Sequence, residues 1–356
     1  MAELVQNPKR VLITRLSAIG DCLLTIPLAV RAKELWPDCT ITWLVDCAAH
    51  QFLSEHPAVD EVIRIDKGWL KNPAGWKVLR RKLQRREFDV ALDPQGLTKS
   101  SVLAWLSGAP CRVGFDRSHA RELAPLLATH RVRRTQTHMV DSYLQVLEPW
   151  SSTPAGVGRF DMPTYSQASI AAETILRRLR LNDSTWLTLN PGAGWTTRIW
   201  PSSRFGALAR EFYRERGIRS LILWAGESER LMAEVIAEAA GGAAIVAPAT
   251  TLTEMLELIR RSAVLITGDT GPLHVASSVN TPCVSLHGVT WSDESGPYGN
   301  PSRSIQSPLT PPSGKLVRKG ANTAMQAIET DEVLQACYEL LDASCSIHHG
   351  ELRRAA

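Results

Sequence analysis

The sequence lacks the features that mark secreted and membrane-spanning proteins. None of its apolar runs approaches the ~20 residues that cross a bilayer, and its first eight residues lack the basic-then-apolar form of a signal peptide. No two of its seven cysteines are spaced as Cys-x-x-Cys, and their odd number favours reduced thiols over a disulfide framework. These absences predict a cytoplasmic protein and leave open a peripheral attachment to a membrane.

The sequence also lacks the charge and the motif that two large classes of ligand require. A net charge of +4 is too mild to indicate nucleic-acid binding, and aromatic residues are not interleaved with the cations as a single-stranded platform needs. Since Gly-x-Gly-x-x-Gly is absent, a dinucleotide fingerprint is not supported. The 356 residues, 44% hydrophobic and 21% charged, instead suit a globular protein of two domains.

Short apolar runs alternate with helical patterns along the whole sequence. This alternation predicts βαβ units and parallel sheets. The predicted strands are residues 11–14, 41–45, 61–65, 88–92, 186–190, 220–224, 244–246, 264–267 and 283–286. A Pro/Gly/Ser-rich stretch at 148–158 is the best linker. We therefore expect domains at 1–158 and 159–325, with a C-terminal helix within 326–345 that can pack back on the first half.

One predicted strand ends at a bare helix N-terminus. The run from 264 breaks at residues 268–271, and Pro272 suits the first helical turn that follows. The backbone amides of Thr270 and Gly271 can bind an anion there, and His274 stands close by. An ordinary strand–turn–helix corner with a buried histidine explains the same residues, and the stretch alone does not decide between the two.

Acidic and polar residues follow two strands of the first half. Asp21 stands at a helix start, where it can act as a cap or as a carboxylate in the ligand crevice of an open sheet. The loop at 93–100 can hold a substrate or cap the next helix. Both positions lie at the carboxyl ends of predicted strands, so both are candidate ligand contacts.

Two segments carry much of the positive charge of the first half. Residues 77–86 predict a short helix with six cations, which fits either an anionic membrane surface or a solvated helix face. Residues 112–134 read as loop-rich and include Arg117 and Arg121. Cations on loops indicate an anionic ligand.

Five separated blocks of the sequence share one pattern of order and spacing. They are Ser17-Ala-Ile-Gly-Asp21, Asp93-Pro-Gln-Gly-Leu97, Asn190-Pro-Gly-Ala-Gly194 with Arg198-Ile-Trp-Pro201, Gly226-Glu227, and Gly268-Asp-Thr-Gly-Pro-Leu-His274. Together they resemble the ADP-heptose:lipopolysaccharide heptosyltransferases, glycosyltransferase family 9. The likeness spans about residues 10–345, and the segment at 114–122 is most similar to the type I enzymes, which add the first heptose to Kdo-lipid A.

The resemblance implies an α/β protein of the GT-B fold, with two Rossmann-like parallel-sheet domains facing a central cleft. The first half would bind an anionic, lipid-linked saccharide acceptor, and the second would bind ADP-heptose. The implied reaction is inverting heptose transfer to the Kdo/inner-core region of lipopolysaccharide, at the inner face of the cytoplasmic membrane. Neither a metal nor a cofactor beyond the donor is implied, and nucleic acid is not an expected partner.

The resemblance also implies roles for individual residues. Asp21 would be the general base, and Arg198, where the family often has lysine, would stabilise the leaving diphosphate. Asp269 would accept hydrogen bonds from heptose hydroxyls or backbone amides, and Glu227 would hold the ribose or merely start a helix. The donor-binding candidates are Thr196, Thr197, Glu227, Asp269, Thr270, Gly271, Pro272 and His274. The acceptor-binding candidates are Ser17, Gly20, Gln95, Lys99, Arg117 and Arg121.

Other readings stay open at this stage. A GT-B glycosyltransferase with another nucleotide sugar or acceptor has the same general pattern. A GT-B-fold nucleotide-sugar epimerase needs no acceptor site and no basic loops. A non-catalytic binding module is a third alternative, since Asp21 can cap a helix without taking part in chemistry.

Overall fold

The computed structural model of the chain describes residues 3–354 apart from 67, 70–72, 153, 313–317 and 319. It divides the chain into two compact units, Met1–Pro163 and Thr164–Ala356. The sequence placed the boundary at 158/159, within the last residues of the first unit.

The first unit is built on a six-stranded parallel sheet. Its strand order is β3-β2-β1-β4-β5-β6. The strands are β1 (Arg10–Thr14), β2 (Thr40–Val45), β3 (Glu61–Arg64), β4 (Val90–Asp93), β5 (Cys111–Phe115) and β6 (His130–Val132). The helices are α1 (Ile19–Leu35), α2 (His50–Leu53), α3 (Pro73–Gln84), α4 (Thr98–Leu106), α5 (Ala124–Leu127) and α6 (Met139–Leu144).

The second unit repeats this plan. Its six parallel strands follow the order β12-β11-β10-β7-β8-β9. The strands are β7 (Trp186–Asn190), β8 (Arg219–Ile222), β9 (Ala244–Val246), β10 (Val264–Gly268), β11 (Cys283–His287) and β12 (Ser302–Gln306). The helices are α7 (Ser166–Arg178), α8 (Ser202–Arg216), α9 (Gly226–Ala239), α10 (Leu252–Arg261), α11 (Gly271–Ser278), α12 (Ser292–Ser295), α13 (Thr323–Gln326) and α14 (Thr330–Arg354).

Both sheets reverse their direction of growth next to their first strand. The fourth strand of each unit returns to pair with the first, so β4 pairs with β1 and β10 pairs with β7. In an open α/β sheet, ligands bind outside the carboxyl ends of the strands at this switch point. The fold therefore selects the residues that follow β1 and β4 in one unit, and β7 and β10 in the other.

The segment 112–134 is only partly loop: Arg117 and Arg121 lie on the connection between β5 and α5, but three regular elements flank it. The segment contains β5, α5 and β6, with Arg131 inside β6. Arg112 and Gly114 interrupt the apolar run of β5, which hid an interior strand; Arg112 donates hydrogen bonds to the carbonyls of Ala109 (2.7 Å) and Leu127 (2.9 Å). Strands β6 and β12 stand at sheet edges, where short and polar sequences are usual.

Helix α14 closes the second unit. It packs against α8, β11 and β12, and Val333, Cys337 and Leu340 belong to the core of that unit. The sequence left open that this helix packs on the first half; the contacts described for it lie within the second unit. No helix in the described part of the chain combines the length and the apolar character that crossing a membrane requires.

Candidate functional site

Asp21 lies in the first turn of α1, directly after the loop that leaves β1. Its Oδ2 accepts a hydrogen bond from the backbone N–H of Ala18 at 3.1 Å, so the carboxylate does cap the helix start. The side chain is nevertheless 39% exposed. A capped carboxylate that still reaches solvent can both hold its position and accept a proton from a substrate hydroxyl.

Two residues that the sequence did not single out hold the other oxygen of Asp21. The buried guanidinium of Arg15 lies 2.9 Å from Oδ1, and the phenol of Tyr143 donates to the same atom at 3.3 Å. Arg15 also donates to the Tyr143 oxygen at 2.6 Å and lies over its ring, 4.5 Å from the centroid. Arg15 is adjacent to the resemblance block, whereas Tyr143 comes from α6, and only the folded chain brings it to the site.

The two groups that hold Asp21 Oδ1 keep their protons. Burial lowers the pKa of Arg15, but the charges of Asp21 and Tyr143 outweigh it and the net shift is upward. Burial also raises the pKa of Tyr143, so its hydroxyl keeps its proton. A guanidinium and a phenol that stay protonated therefore fix one side of the carboxylate, and its exposed part can accept a proton from a substrate hydroxyl.

Most acceptor-binding candidates of the first unit meet at the β1/β4 switch point. The ammonium of Lys99 lies 3.0 Å from the Ser17 hydroxyl and 3.3 Å from a carboxylate oxygen of Asp46, which follows β2. Gln95 accepts the backbone N–H of Leu16 at 2.9 Å. Gly20 stands one residue before Asp21 in α1. Asp46 was not predicted, since nothing in its own stretch of sequence connects it to Lys99.

Arg117 and Arg121 lie on the connection between β5 and α5 and are exposed. The backbone N–H of Arg121 donates to the carbonyl of Gly96 at 2.8 Å, which ties this connection to the loop after β4. Between them, His119 is partly buried, and burial together with the positive charges of Arg134, Arg15 and Arg121 lowers its pKa to about 4. At neutral pH the imidazole is therefore uncharged in a basic surrounding.

In the second unit, Arg198 and Asp269 form a pair across the β7/β10 switch point. Arg198 Nη1 donates to the backbone carbonyl of Asp269 at 2.8 Å, and Nη2 lies 3.3 Å from the carboxylate. A Cβ at Gly268 would stand 2.8 Å from the carbonyl oxygen of Arg198, so only glycine permits this approach. Ser295 donates to the same Asp269 oxygen at 3.1 Å. Arg198 and Ser295 are thus two described partners of Asp269.

The remaining donor candidates surround this pair. Thr270 is the N-cap residue of α11, and Gly271 and Pro272 begin that helix. His274 is buried, with Nε2 at 3.9 Å from Asp269 Oδ1. Thr196 is exposed and Thr197 buried in the short 3-10 turn Thr196–Arg198 after β7. The corner predicted from the sequence is thus a helix start with its first amides at the strand end, beside a partly buried cation.

Glu227 stands apart from these residues, in the first turn of α9 after β8. It is exposed, and its ion pair with Arg230 at 2.6 Å lowers its pKa. The end of the second strand is where nucleotide-binding sheets place the acid that holds the ribose. Glu229, which the sequence did not suggest, lies nearer β7: a Cβ at Gly192 would clash with its carboxylate, and burial raises its pKa.

His287 is another buried group that the sequence did not assign. It ends β11, and burial lowers its pKa to about 4 despite the nearby charge of Asp269. Its Nε2 lies 3.0 Å from the Ser285 hydroxyl. In the described part of the chain, no group of three or more His, Cys, Asp or Glu side chains has an arrangement that suits a metal ion.

The described geometry can now be compared with known proteins. A family model described as glycosyltransferase family 9 (heptosyltransferase) matches residues 76–323, well over half of the chain. The chain belongs to glycosyltransferase family 9. The match confirms the resemblance to this family and the predicted enzyme class, a glycosyltransferase.

Curated relatives of this glycosyltransferase match along most of their length. It is 27% identical over 309 residues to lipopolysaccharide heptosyltransferase 1 of Pseudomonas aeruginosa, covering 82% of this chain and 81% of that protein. It is 26% identical over 328 residues to the protein of the same name from Escherichia coli O18:K1:H7, covering 90% and 97%.

Solved structures share the fold of the family 9 chain. A family 9 glycosyl transferase from Veillonella parvula superposes with a TM-score of 0.81 at 24% identity, covering 96% of this chain and 99% of that one. The E. coli heptosyltransferase WaaC with ADP gives 0.76 at 24% identity, covering 93% and 99%. With the two parallel six-stranded sheets, these matches confirm the predicted α/β fold class of the GT-B type.

Proposed function

We propose that the chain is an inverting heptosyltransferase that transfers heptose from ADP-heptose to the Kdo region of the lipopolysaccharide inner core, on a lipid A-linked acceptor. The observation that carries the proposal is the matched placement of a base and an anion site at the switch points of the two sheets. Asp21 follows β1, and Arg198 with the start of α11 follows β7 and β10. The names of the curated relatives supply the sugar and the acceptor class.

The second unit carries the donor half of the reaction. As the bond to the anomeric carbon breaks, its electron pair stays on the phosphate oxygen, and ADP gains negative charge. Arg198 and the amides of Thr270 and Gly271 can neutralise that charge, which is the main way proteins lower the barrier of such a step. Glu227 binds the ribose, and Asp269, held by Arg198 and Ser295, positions the cation.

The first unit carries the acceptor half. Asp21 takes the proton of the attacking hydroxyl as the new bond to the anomeric carbon forms. Lys99, Arg117 and Arg121 bind the carboxylates and phosphates of an inner-core acceptor, since charge-assisted hydrogen bonds are strong with both groups. Ser17, Gly20 and Gln95 belong to the segments after β1 and β4 that also bind the acceptor, and Ser17 holds the ammonium of Lys99 there.

The proposal is tested by following ADP release from ADP-heptose with and without a Kdo-containing acceptor freed of its acyl chains. We expect release that requires the acceptor and that a metal chelator leaves unchanged. Release without acceptor together with an epimerised donor favours the epimerase alternative. No release with ADP-heptose from folded protein contradicts the proposed donor.

We also propose that the enzyme works at an anionic membrane surface, through the outer face of α3, α4 and α5. Helix α3 packs against α4, and α4 packs against α5. Val78 is 68% exposed, Trp105 47% and Leu126 60%. Helix α3 and the turn that follows it also carry five exposed cations: Lys77, Arg80, Arg81, Lys82 and Arg85. Apolar side chains within a basic surface suit attachment to anionic lipid.

Charge reversal on α3 tests this surface. We expect Arg80→Glu, Arg81→Glu and Arg85→Glu together to abolish most sedimentation with vesicles of phosphatidylglycerol and phosphatidylethanolamine, since each cation near such a surface contributes about 1 kcal/mol. The matched control reverses three exposed arginines of the second unit, Arg178, Arg180 and Arg219. Equal loss in both variants, or none in the first, contradicts the assignment. Activity on the soluble acceptor should not change.

A further inference from the structure

Trp195 carries two arginine side chains on one indole ring. It is half-buried and directly precedes the turn Thr196–Arg198 at the carboxyl end of β7. The guanidinium carbon of Arg198 lies 3.9 Å from the ring centroid, and that of Arg318 lies 4.9 Å from it. Both distances are within the range of cation–π attraction. A residue far away in sequence is thereby held beside the arginine of the candidate donor site.

The charge of Arg198 is already matched within the protein. Its guanidinium lies 3.3 Å from the Asp269 carboxylate, whose side chain is only 4% exposed. The Asp269 carboxylate offsets part of the attraction that Arg198 exerts on a nearby anion. The amides at the start of α11 add only a partial positive charge. A nucleoside diphosphate at this corner therefore needs further positive charge.

Arg318 has such a charge available. Its side chain is exposed, and no carboxylate among the residues that the structure describes forms an ion pair with it. The attraction to the Trp195 ring acts on the guanidinium as a whole and does not use up its N–H donors. A planar guanidinium presented in this way matches two phosphate oxygens at once.

We propose that Arg318 binds the diphosphate of the nucleotide-sugar donor together with Arg198, an assignment that rests on the proposed donor site. Trp195 holds both cations against one ring and spares Arg318 part of the rotamer entropy that an exposed arginine loses on binding. Arg198 is fixed by Asp269, so it sets the geometry of the site. Arg318 adds the uncompensated charge that attracts the diphosphate and stabilises ADP as it leaves.

A purely structural role for Arg318 predicts a different pattern of effects. If the side chain only covers Trp195, its removal changes the binding of adenosine, AMP and ADP by the same factor, or not at all. If it binds the diphosphate, the loss grows with the number of phosphates. The affinity of the three ligands for one variant therefore separates the two roles without any acceptor or turnover.

The experiment measures the affinities of adenosine, AMP and ADP by calorimetry for wild type, Arg318→Gln and Arg318→Lys. We expect Arg318→Gln to weaken ADP binding about fivefold to tenfold and to leave adenosine binding unchanged. Arg318→Lys should retain part of the ADP affinity, because it keeps the charge and loses the fork. Arg303→Gln, at an exposed arginine of β12, is the matched control and should bind ADP as wild type does.

The outcomes separate this assignment from the proposed function. Wild type that binds ADP no better than adenosine contradicts the proposed donor site, and the role of Arg318 with it. Wild type that prefers ADP, with an Arg318→Gln variant that keeps the full preference, contradicts the role of Arg318 alone. Thermal unfolding of each variant checks that the exposed substitution leaves the fold intact.

Discussion

Asp21→Asn should lower kcat for acceptor-dependent ADP release by about 100-fold to 10,000-fold, the range that general-base catalysis contributes. An amide keeps the shape of the carboxylate and its hydrogen bond to the N–H of Ala18, but it cannot accept the proton of the attacking hydroxyl. Affinity for ADP should stay unchanged, because the donor candidates belong to the second unit. Steady-state kinetics with the soluble acceptor, together with ADP calorimetry, check both parts.

The control for this substitution has to account for Arg15. Without the carboxylate, a buried guanidinium loses its ion-pair partner, so a loss of stability is expected as well as a loss of rate. Activity is therefore compared at a temperature where circular dichroism shows the variant folded. Asp38→Asn, at an exposed aspartate of the same unit, is the matched control and should keep wild-type kcat. A folded Asp21→Asn variant whose kcat is within about threefold of the wild-type value contradicts the base assignment, because so small a loss is far below the range expected for general-base catalysis.

Tyr143→Phe would distinguish the two supports of Asp21, since it removes one hydrogen bond to Oδ1 and leaves the ion pair with Arg15 in place. The arrangement is asymmetric: the charged partner is buried, and the hydroxyl bridges it to the carboxylate. One oxygen of Asp21 is thus fixed by a buried charge and a hydroxyl, while the side chain stays 39% exposed. This arrangement orients a base that a substrate can still reach.

The strand ends could be predicted from sequence because their signals are local. A β-branched run followed by Gly268, an acid and Pro272 indicates where a strand ends and a helix begins, and this signal does not depend on contacts with the rest of the chain. Asp21 and the loop after β4 were recognised on the same basis. Parallel pairing of β1 with β4, and of β7 with β10, then brings these ends together in pairs.

The partners of these residues could not be predicted, because they are set by packing. Tyr143 reaches Asp21 from α6, Ser295 reaches Asp269 from α12, and Asp46 reaches Lys99 from the end of β2. None of these contacts has a fixed spacing in sequence. The sequence did not predict edge strand β6 for a different reason. A short polar segment at the margin of a sheet has no apolar periodicity to detect.

Arg198→Gln is expected to have the second large effect, on donor binding, rate and stability together. Loss of a charged hydrogen-bond donor should weaken ADP binding about 10-fold to 100-fold, and loss of charge at the developing diphosphate should lower kcat about 100-fold to 1,000-fold. The substitution also leaves the nearly inaccessible carboxylate of Asp269 without its cation, which costs about 3 kcal/mol of unfolding free energy. Calorimetry, kinetics and urea denaturation measure the three effects.

The double variant Arg198→Gln/Asp269→Asn separates the structural from the chemical share of this loss. With both charges removed, Ser295 can still hydrogen-bond to the amide that replaces the carboxylate, so most of the unfolding free energy should return. ADP affinity should recover in part, because the carboxylate no longer repels the diphosphate. The rate should stay low, since no fixed cation meets the charge that ADP gains. A double variant that regains wild-type kcat would show that Arg198 acts only by neutralising Asp269, and would leave Arg318 and the amides of α11 to stabilise the leaving group.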